Sequence, residues 1–242
     1  MKAMIFAAGM GTRLKPLTDT MPKALVPVGG KPLLQHVIEK LKHAGFDEII
    51  INIHHFGGQI IDFVASENQF NIRIEFSDER EKLLDTGGAI KKADWFFDDG
   101  KPFLVHNVDI LSNINLTDLY STHIRKNNQA TLVCSDRQTS RYLLFDGDNH
   151  LTGWINEKTG ETKSPVTLLQ PQNYRKLAFA GIHILRPSIL SYMQHYPDRF
   201  PIIDFYLSLC DREEIACFIP KELKMMDVGK LNSLEEAEHF LF

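Results

Sequence analysis

"MKAMIFAAGMGTRLKPLTDTMPKAL", residues 1–25, decides how the chain begins to fold. Met4–Ala8 is a short apolar run that stops at Gly9, the pattern of a buried strand rather than a helix. Gly9 and Gly11 flank Met10, so the backbone there can turn tightly and approach a ligand with no Cβ in the way. Thr12 and Arg13 follow at once, and Pro16 and Pro22 keep the next stretch out of a regular helix. Lys23 closes the segment. A strand, a glycine loop and two separated cations are what a polyphosphate requires.

The same alternation of strand and helix continues outward. Leu33, Leu34, Val37, Ile38 and Leu41 recur at helical spacing, and Gly45 suits the helix end. Ile49–Ile53 is a second buried strand, "GGQIIDFVASE" (57–67) a helix, and "IRIEFSDE" (72–79) a third strand. "TGGAIKKADWFF" (86–97) begins a helix at glycines, and "PFLVHNVDIL" (102–111) is a fourth strand. Strands separated by helices predict an α/β fold: a Rossmann-like, mostly parallel mixed sheet with helices on both faces. Such sheets bind ligands outside the carboxyl ends of their strands. Gly9–Arg13, Asp85–Gly88 and Asn107–Asp109 all fall there.

The second half is less regular. "QATLVCSD" (129–136) and "RYLLFDGDNHLTGWINE" (141–157) read as strands about a turn, and residues 158–176 as a polar loop or hairpin. "LAFAGIHIL" (177–185) is a strand, "IIDFYLSLC" (202–210) a helix, "IACFI" (215–219) a short strand and "LNSLEEAEHFL" (231–241) a closing helix. With neither a repeat nor a linker, one domain over 1–242 is expected. Trp95, Phe96 and Phe97 read as core aromatics, and His106 and His183 as core or rim histidines; adjacent His54 and His55 make a poor metal pair.

With 242 residues and a net charge of −4, the chain is long enough for a full core and lacks the basic surface of a sequence-blind nucleic-acid binder. No stretch approaches the roughly 20 apolar residues of a membrane span. Three cysteines without C-x-x-C spacing predict neither a disulfide framework nor a zinc site. A cytoplasmic protein, monomeric or a small homo-oligomer, with no nucleic-acid or membrane partner, is the expectation.

Two phosphate-binding motifs are excluded. No G-x-x-x-x-G-K-[ST] is present, and Leu14 stands where a dinucleotide fingerprint needs its third glycine. The fuller pattern, G-x-G-T-R followed by Pro22–Lys23, resembles the signature of the sugar-1-phosphate nucleotidyltransferases, the pyrophosphorylases that make NDP-sugars. The resemblance implies that Ala8, Gly9, Gly11 and Thr12 bind the nucleotide. It also implies that Arg13 and Lys23 stabilise the triphosphate and the departing pyrophosphate. It places Asp85, Thr86, Gly87 and Gly88 around the base, which would lie against the two glycines, with Thr86 as helix cap the plainer alternative.

"HNVD" (106–109) is similar to the family's N-G-D or N-A-D, which gives Asn107 to the nucleotide and Asp109 to Mg²⁺, with Val108 in place of a small residue. "DVGKLNSLEEA" (227–237) is similar to D-x-G-T-P-x-x-L-x-x-A, making Asp227 the second Mg²⁺ ligand, with Lys230 and Leu231 as departures. Glu157 and Lys158 resemble the E-K-P pair that contacts sugar hydroxyls and sugar phosphate, although Thr159 replaces proline; a solvated charged turn is the alternative. Ala180 and Gly181 would leave room for the sugar ring, although Phe179 stands where the family has asparagine.

The implied activity converts an NTP and a sugar 1-phosphate into an NDP-sugar and pyrophosphate. A nucleotide-binding lobe over about 1–110 and a sugar-phosphate lobe over about 111–242 would share it. Within the family the chain is most similar to short members that transfer uridylyl to N-acetylmuramate 1-phosphate or guanylyl to a mannose or heptose 1-phosphate. Their products supply cell-envelope polysaccharide. Choline-phosphate cytidylyl transfer and a non-catalytic nucleotide-sugar sensor are the alternatives.

Overall fold

A computed structural model describes residues 1–165 and 170–241. The first half contains β1 (Lys2–Phe6), β2 (Pro27–Val28), β3 (Lys31–Pro32), α1 (Leu33–His43), β4 (Glu48–Ile53), α2 (Gly57–Ser66), β5 (Arg73–Asp78), α3 (Asp85–Lys92) and β6 (Phe103–Asn107). Then come β7 (Ile110–Ser112), α4 (Leu116–Lys126), β8 (Ala130–Ser135), β9 (Arg141–Phe145), β10 (Leu151–Asn156), β11 (Glu161–Lys163) and β12 (Arg175–Leu185). The chain closes with α5 (Leu190–Met193), α6 (Ile202–Leu209), β13 (Ile215–Phe218), β14 (Met225–Asp227) and α7 (Asn232–Leu241).

The central sheet has ten strands in the order β11-β10-β9-β12-β6-β1-β4-β5, with β8 and β13 attached alongside β12. It is parallel from β5 through β4 and β1 to β6, while β12 runs antiparallel to β6, β8 and β9. The expected mixed α/β sheet is therefore what forms. Alternation along β1 shows why helices must cover both faces. Ala3, Ile5 and Ala7 pack with Leu34 and Ile38 of α1 on one side, and Met4 packs with Ile90 of α3 and Phe205 of α6 on the other. Helix α1 ends as its glycine predicts: Gly45 has φ +85°, its N–H donates to the Lys42 carbonyl at 2.9 Å, and Phe46 N–H donates to Leu41 at 3.0 Å.

Three readings change. The fourth strand stops at Asn107, because the chain turns at Val108–Asp109 and Ile110–Ser112 leaves to pair with β14 in a separate two-stranded sheet. Trp95 is 53% exposed, because a single 3₁₀ turn turns its ring outward while Phe96 and Phe97 enter the core. The polar stretch 158–176 contains β11 and a 3₁₀ turn at Pro171–Asn173, and its residues 166–169 lie outside those described.

Strand β12 joins the two halves of the sheet. Arg175–Leu177 pairs with β9 and Ile182–Leu185 with β6, and the register against β8 shifts between Phe179 and His183. Gly181, at φ +73°, sits in that irregularity, where a bulge re-aims the strand. His183 and the neighbouring His106 are both buried in the core. Burial pushes the imidazole pKa values down, to about 4 for His106 and about 3 for His183.

Candidate active site

The carboxyl ends of β1, β4, β5 and β6 surround a cleft of about 230 Å³ whose walls include Ala8, Gly9, Lys23, Asp85, Asn107 and Asp109. The glycine loop enters it from β1. Gly11 adopts φ +63°, and a Cβ there would lie 2.8 Å from Thr18 Cγ2 and 3.0 Å from Lys23 Cβ, so glycine is required twice over. Thr18 Oγ1 donates to the Gly11 carbonyl at 2.8 Å and Leu14 N–H donates to it at 2.8 Å, which pins the loop and the short Thr12–Leu14 turn. Gly9 has no atom within 4 Å of where a Cβ would stand and faces open space. Ala8 and Gly9 thus line the cleft, and Gly11 and Thr12 shape the loop behind them.

Lys23 is almost buried, and its ammonium pairs with the Asp109 carboxylate inside the cleft. Asp227 comes alongside Asp109 through the small sheet that broke the fourth strand. It stands opposite Ile110 in the register, and Val228 N–H donates to the Asp109 carbonyl at 2.8 Å. The two carboxylates named as metal ligands, far apart in sequence, therefore come from adjacent strand ends. Arg13 arrives over Gly229, where a Cβ would lie 2.7 Å from Arg13 Nη2 and 2.6 Å from Asp227 Oδ1. Glycine at 229 is what lets the guanidinium and the carboxylate approach from its two sides.

Val108 is accommodated without strain. Its φ is not positive, and its side chain is buried in the core on the α1 face.

Two residues that sequence reasoning missed hold the cleft together. Asn52, at the end of β4, accepts from Ala7 N–H at 2.7 Å and Ala8 N–H at 3.3 Å through Oδ1, and donates through Nδ2 to Glu79 Oε1 at 2.8 Å. Glu79 accepts from Leu84 N–H at 3.0 Å through its other oxygen. It is 1% exposed, and burial raises its pKa. This chain of bonds ties the glycine loop to the segment that delivers Asp85. Glu79 follows β5 directly, at the same strand end that singled out the other loops.

The base-side residues divide. Asp85 and Thr86 line the cleft; Asp85 holds φ +63°, a left-handed conformation uncommon for non-glycine residues, with Oδ1 accepting from Thr86 N–H at 2.9 Å. Gly87 and Gly88 are turned away from it, against the segment before α6. A Cβ on Gly87 would lie 2.2 Å from the Phe200 ring, and one on Gly88 would lie 2.0 Å from the Asp198 carbonyl oxygen. Their N–H groups donate to the Phe200 carbonyl at 2.9 and 3.3 Å. The faces expected to receive a flat base are thus occupied by the chain itself. Thr86 does not cap its own helix: its Oγ1 accepts from Ile202 N–H at 2.9 Å and so fixes the start of α6.

On the sugar side, Gly181 abuts the cleft, since a Cβ there would lie 2.6 Å from Asn107 Nδ2; Ala180 beside it is buried. Glu157 and Lys158 sit in the exposed hairpin turn after β10, where Glu157 pairs with Lys176 at 2.8 Å. Neither lines the cleft, because the turn between β10 and β11 directs both side chains to solvent. Among the described residues no cluster of three or more His, Cys, Asp or Glu side chains could hold a metal ion. Asp109 and Asp227, hard oxygen donors on neighbouring strand ends, are of the chemical type Mg²⁺ takes, one or two carboxylates with water and phosphate oxygens completing its shell.

A mixed α/β sheet whose strand ends carry a glycine loop, a lysine–aspartate pair and a neighbouring arginine and carboxylate is the class of fold these observations define. The chain belongs to the nucleotidyl transferase family, whose model matches residues 2–242. It is 45% identical over 200 residues to an N-acetylmuramate alpha-1-phosphate uridylyltransferase of Neisseria meningitidis, covering 80% of this chain and 86% of that protein. It is 32% identical over 234 residues to a mannose-1-phosphate guanyltransferase of Yarrowia lipolytica, covering 95% of this chain and 61% of that longer protein. Its fold is similar to that of HddC from Yersinia pseudotuberculosis complexed with GMP-PN, with a TM-score of 0.77 at 23% identity, covering 100% of this chain and 99% of that one.

Proposed function

We propose that this protein transfers a uridylyl group from UTP to N-acetylmuramate 1-phosphate, giving the UDP-sugar and pyrophosphate. The observation that carries the reading is the cleft in which Lys23 meets Asp109, with Asp227 and Arg13 meeting at Gly229 just past the neighbouring strand pair. The choice of base and sugar is supported by the 45% identity to the Neisseria enzyme. Guanylyl transfer to a mannose 1-phosphate is the second reading, favoured by the 32% identity to the Yarrowia protein.

In the reaction an oxygen of the sugar phosphate forms a bond to the α-phosphorus as the bond from that phosphorus to pyrophosphate breaks. The nucleophile is already ionised near neutral pH, so the protein needs no general base; it must position and neutralise. Asp109 and Asp227 would hold Mg²⁺, which supplies positive charge to the phosphates. Lys23, held ready by Asp109, and Arg13, a planar fork suited to phosphate, take up the charge that accumulates on the departing pyrophosphate. Asn52 and Glu79 keep the loop and the Asp85 segment at a fixed separation. Cytoplasmic placement is part of this proposal, supported by the phosphorylated substrates it assigns and by the three free cysteines.

Pyrophosphate release tests this with UTP, GTP and CTP crossed with N-acetylmuramate 1-phosphate, mannose 1-phosphate and phosphocholine. Release that requires UTP together with N-acetylmuramate 1-phosphate is expected. Preference for GTP with mannose 1-phosphate selects the second reading. Silence across the panel, with thermal stabilisation by a nucleotide, replaces the enzyme with a sensor.

A further inference from the structure

A second concavity of about 530 Å³ lies on the other half of the sheet, floored by the strands β9, β10 and β11. The register sets its floor in two rows. Arg141, Asn156 and Glu161 stand opposite one another across the three strands, and Leu143, Trp154 and Lys163 form the next row on the same face. Phe179 and Arg137 complete one wall, and the start of α6 the other.

Its charges are unequal in their engagement. Lys163 is paired with Asp204 at 3.0 Å and lies 5.3 Å from the Trp154 ring centre. Among the described residues Arg137 Nη2 donates only to the Phe179 carbonyl, at 3.2 Å. Among the described residues neither Arg137 nor Arg141 has a carboxylate within ion-pair distance, the nearby Asp136 being taken by Arg175 at 3.3 Å. Two uncommitted guanidiniums therefore face a partly aromatic floor, with Glu161 the one uncommitted carboxylate in the lining.

The groove and the cleft share a wall. Phe179 lines the groove, and two residues further along β12 Gly181 touches Asn107 of the cleft, a strand distance of roughly 7 Å. On the opposite side Thr86 of the cleft holds Ile202, whose neighbours Pro201 and Ile203 line the groove. A ligand phosphorylated at one end can thus present its phosphate at Asn107 and its remaining substituents over Trp154 and Phe179.

We infer that the groove selects sugar 1-phosphates that carry a carboxylate, which Arg137 and Arg141 bind while the aromatic floor takes the apolar face of the ring. This rests on the cleft being the transfer site proposed above. The guanidinium fork is the side chain best matched to a carboxylate, and a charge-assisted bond of this kind is worth roughly tenfold to a hundredfold in affinity.

The test compares N-acetylmuramate 1-phosphate with N-acetylglucosamine 1-phosphate, which differ by the carboxylate-bearing ether, as the ratio of kcat/KM in the wild type and in Arg141→Ala and Arg137→Ala. The ratio should favour the acid in the wild type and collapse by about tenfold or more in each variant. An unchanged ratio overturns the inference and leaves the transfer reading intact. Should the wild type transfer to neither sugar, calorimetric binding of unphosphorylated N-acetylmuramate against N-acetylglucosamine decides the groove by itself. Tighter binding of the acid that is lost in the double variant supports it, and equal binding of the two sugars overturns it.

Discussion

Lys23 and Asp109 form an ion pair inside the cleft, joining the turn after Pro22 to the end of β6. Both side chains are mostly shielded from water, at 9% and 18% exposure, so each depends on the other until a ligand arrives. Asp109→Asn keeps the shape and removes the charge. Turnover should fall by roughly 10²–10³, the scale of one lost electrostatic contact at a reacting phosphate. Pyrophosphate release under saturating substrates measures it, and near wild-type turnover contradicts the role given to Asp109.

Asn52→Ala strips Ala7 and Ala8 of their shared acceptor and leaves Glu79 with one partner fewer. Buried groups left unsatisfied cost about 1–3 kcal/mol each. We expect a lower Tm together with a raised KM for the nucleotide, because the loop loses its tie to the Asp85 segment. A variant that unfolds earlier yet keeps its KM would make Asn52 a purely structural residue.

The glycines separate by what surrounds them. Gly88→Ala drives a methyl into the Asp198 carbonyl and should cost about 1–3 kcal/mol, a fall in Tm of several degrees for a chain of this size. Gly9→Ala meets no atom within 4 Å and should leave Tm nearly unchanged while lowering kcat/KM, since the methyl would stand in the cleft. Thermal melts paired with kinetics distinguish the two, and equal destabilisation would contradict the packing described for Gly88.

The buried histidines set an acid limit. His106 and His183 have folded pKa values of about 4 and about 3, below the ordinary 6.5. The unfolded chain therefore binds more protons between these values. Their contribution to stability is intact above pH 6.5 and is lost as pH falls toward 4, at up to about 1.4 kcal/mol per pH unit for each histidine. Denaturant melts between pH 7 and 4.5 should show this slope, and His183→Gln should reduce it by that histidine's share. A pH-independent stability over that range would place these imidazoles in contact with water.

Local pattern revealed most of the fold. The periodic apolar stripe of 33–41 and the glycine at 45 are sufficient to define α1 and its end, and the unbroken apolar run of β1 already fits a strand covered on both faces. The glycine loop with its cations Arg13 and Lys23 stands out from the residues themselves, whereas Asp109 and Asp227 are named only through the resemblance to the nucleotidyltransferases. Partnership was not legible. That Gly87 and Gly88 face Phe200 and Asp198, that Glu79 is tied to Asn52, and that "NVD" ends one strand and begins another all depend on contacts between segments distant in sequence. Glu157 and Lys158 show the reverse error, a motif-like pair whose hairpin turn points it to solvent.

The most direct test is product stoichiometry in one reaction. Wild-type protein, UTP, N-acetylmuramate 1-phosphate and Mg²⁺ are combined, and UDP-sugar is quantified by mass spectrometry alongside pyrophosphate. The account predicts one UDP-sugar for each pyrophosphate and neither product when the sugar phosphate is omitted. Pyrophosphate formed without the sugar phosphate, or an initial rate of UDP-sugar formation unaffected by Asp109→Asn, would contradict it.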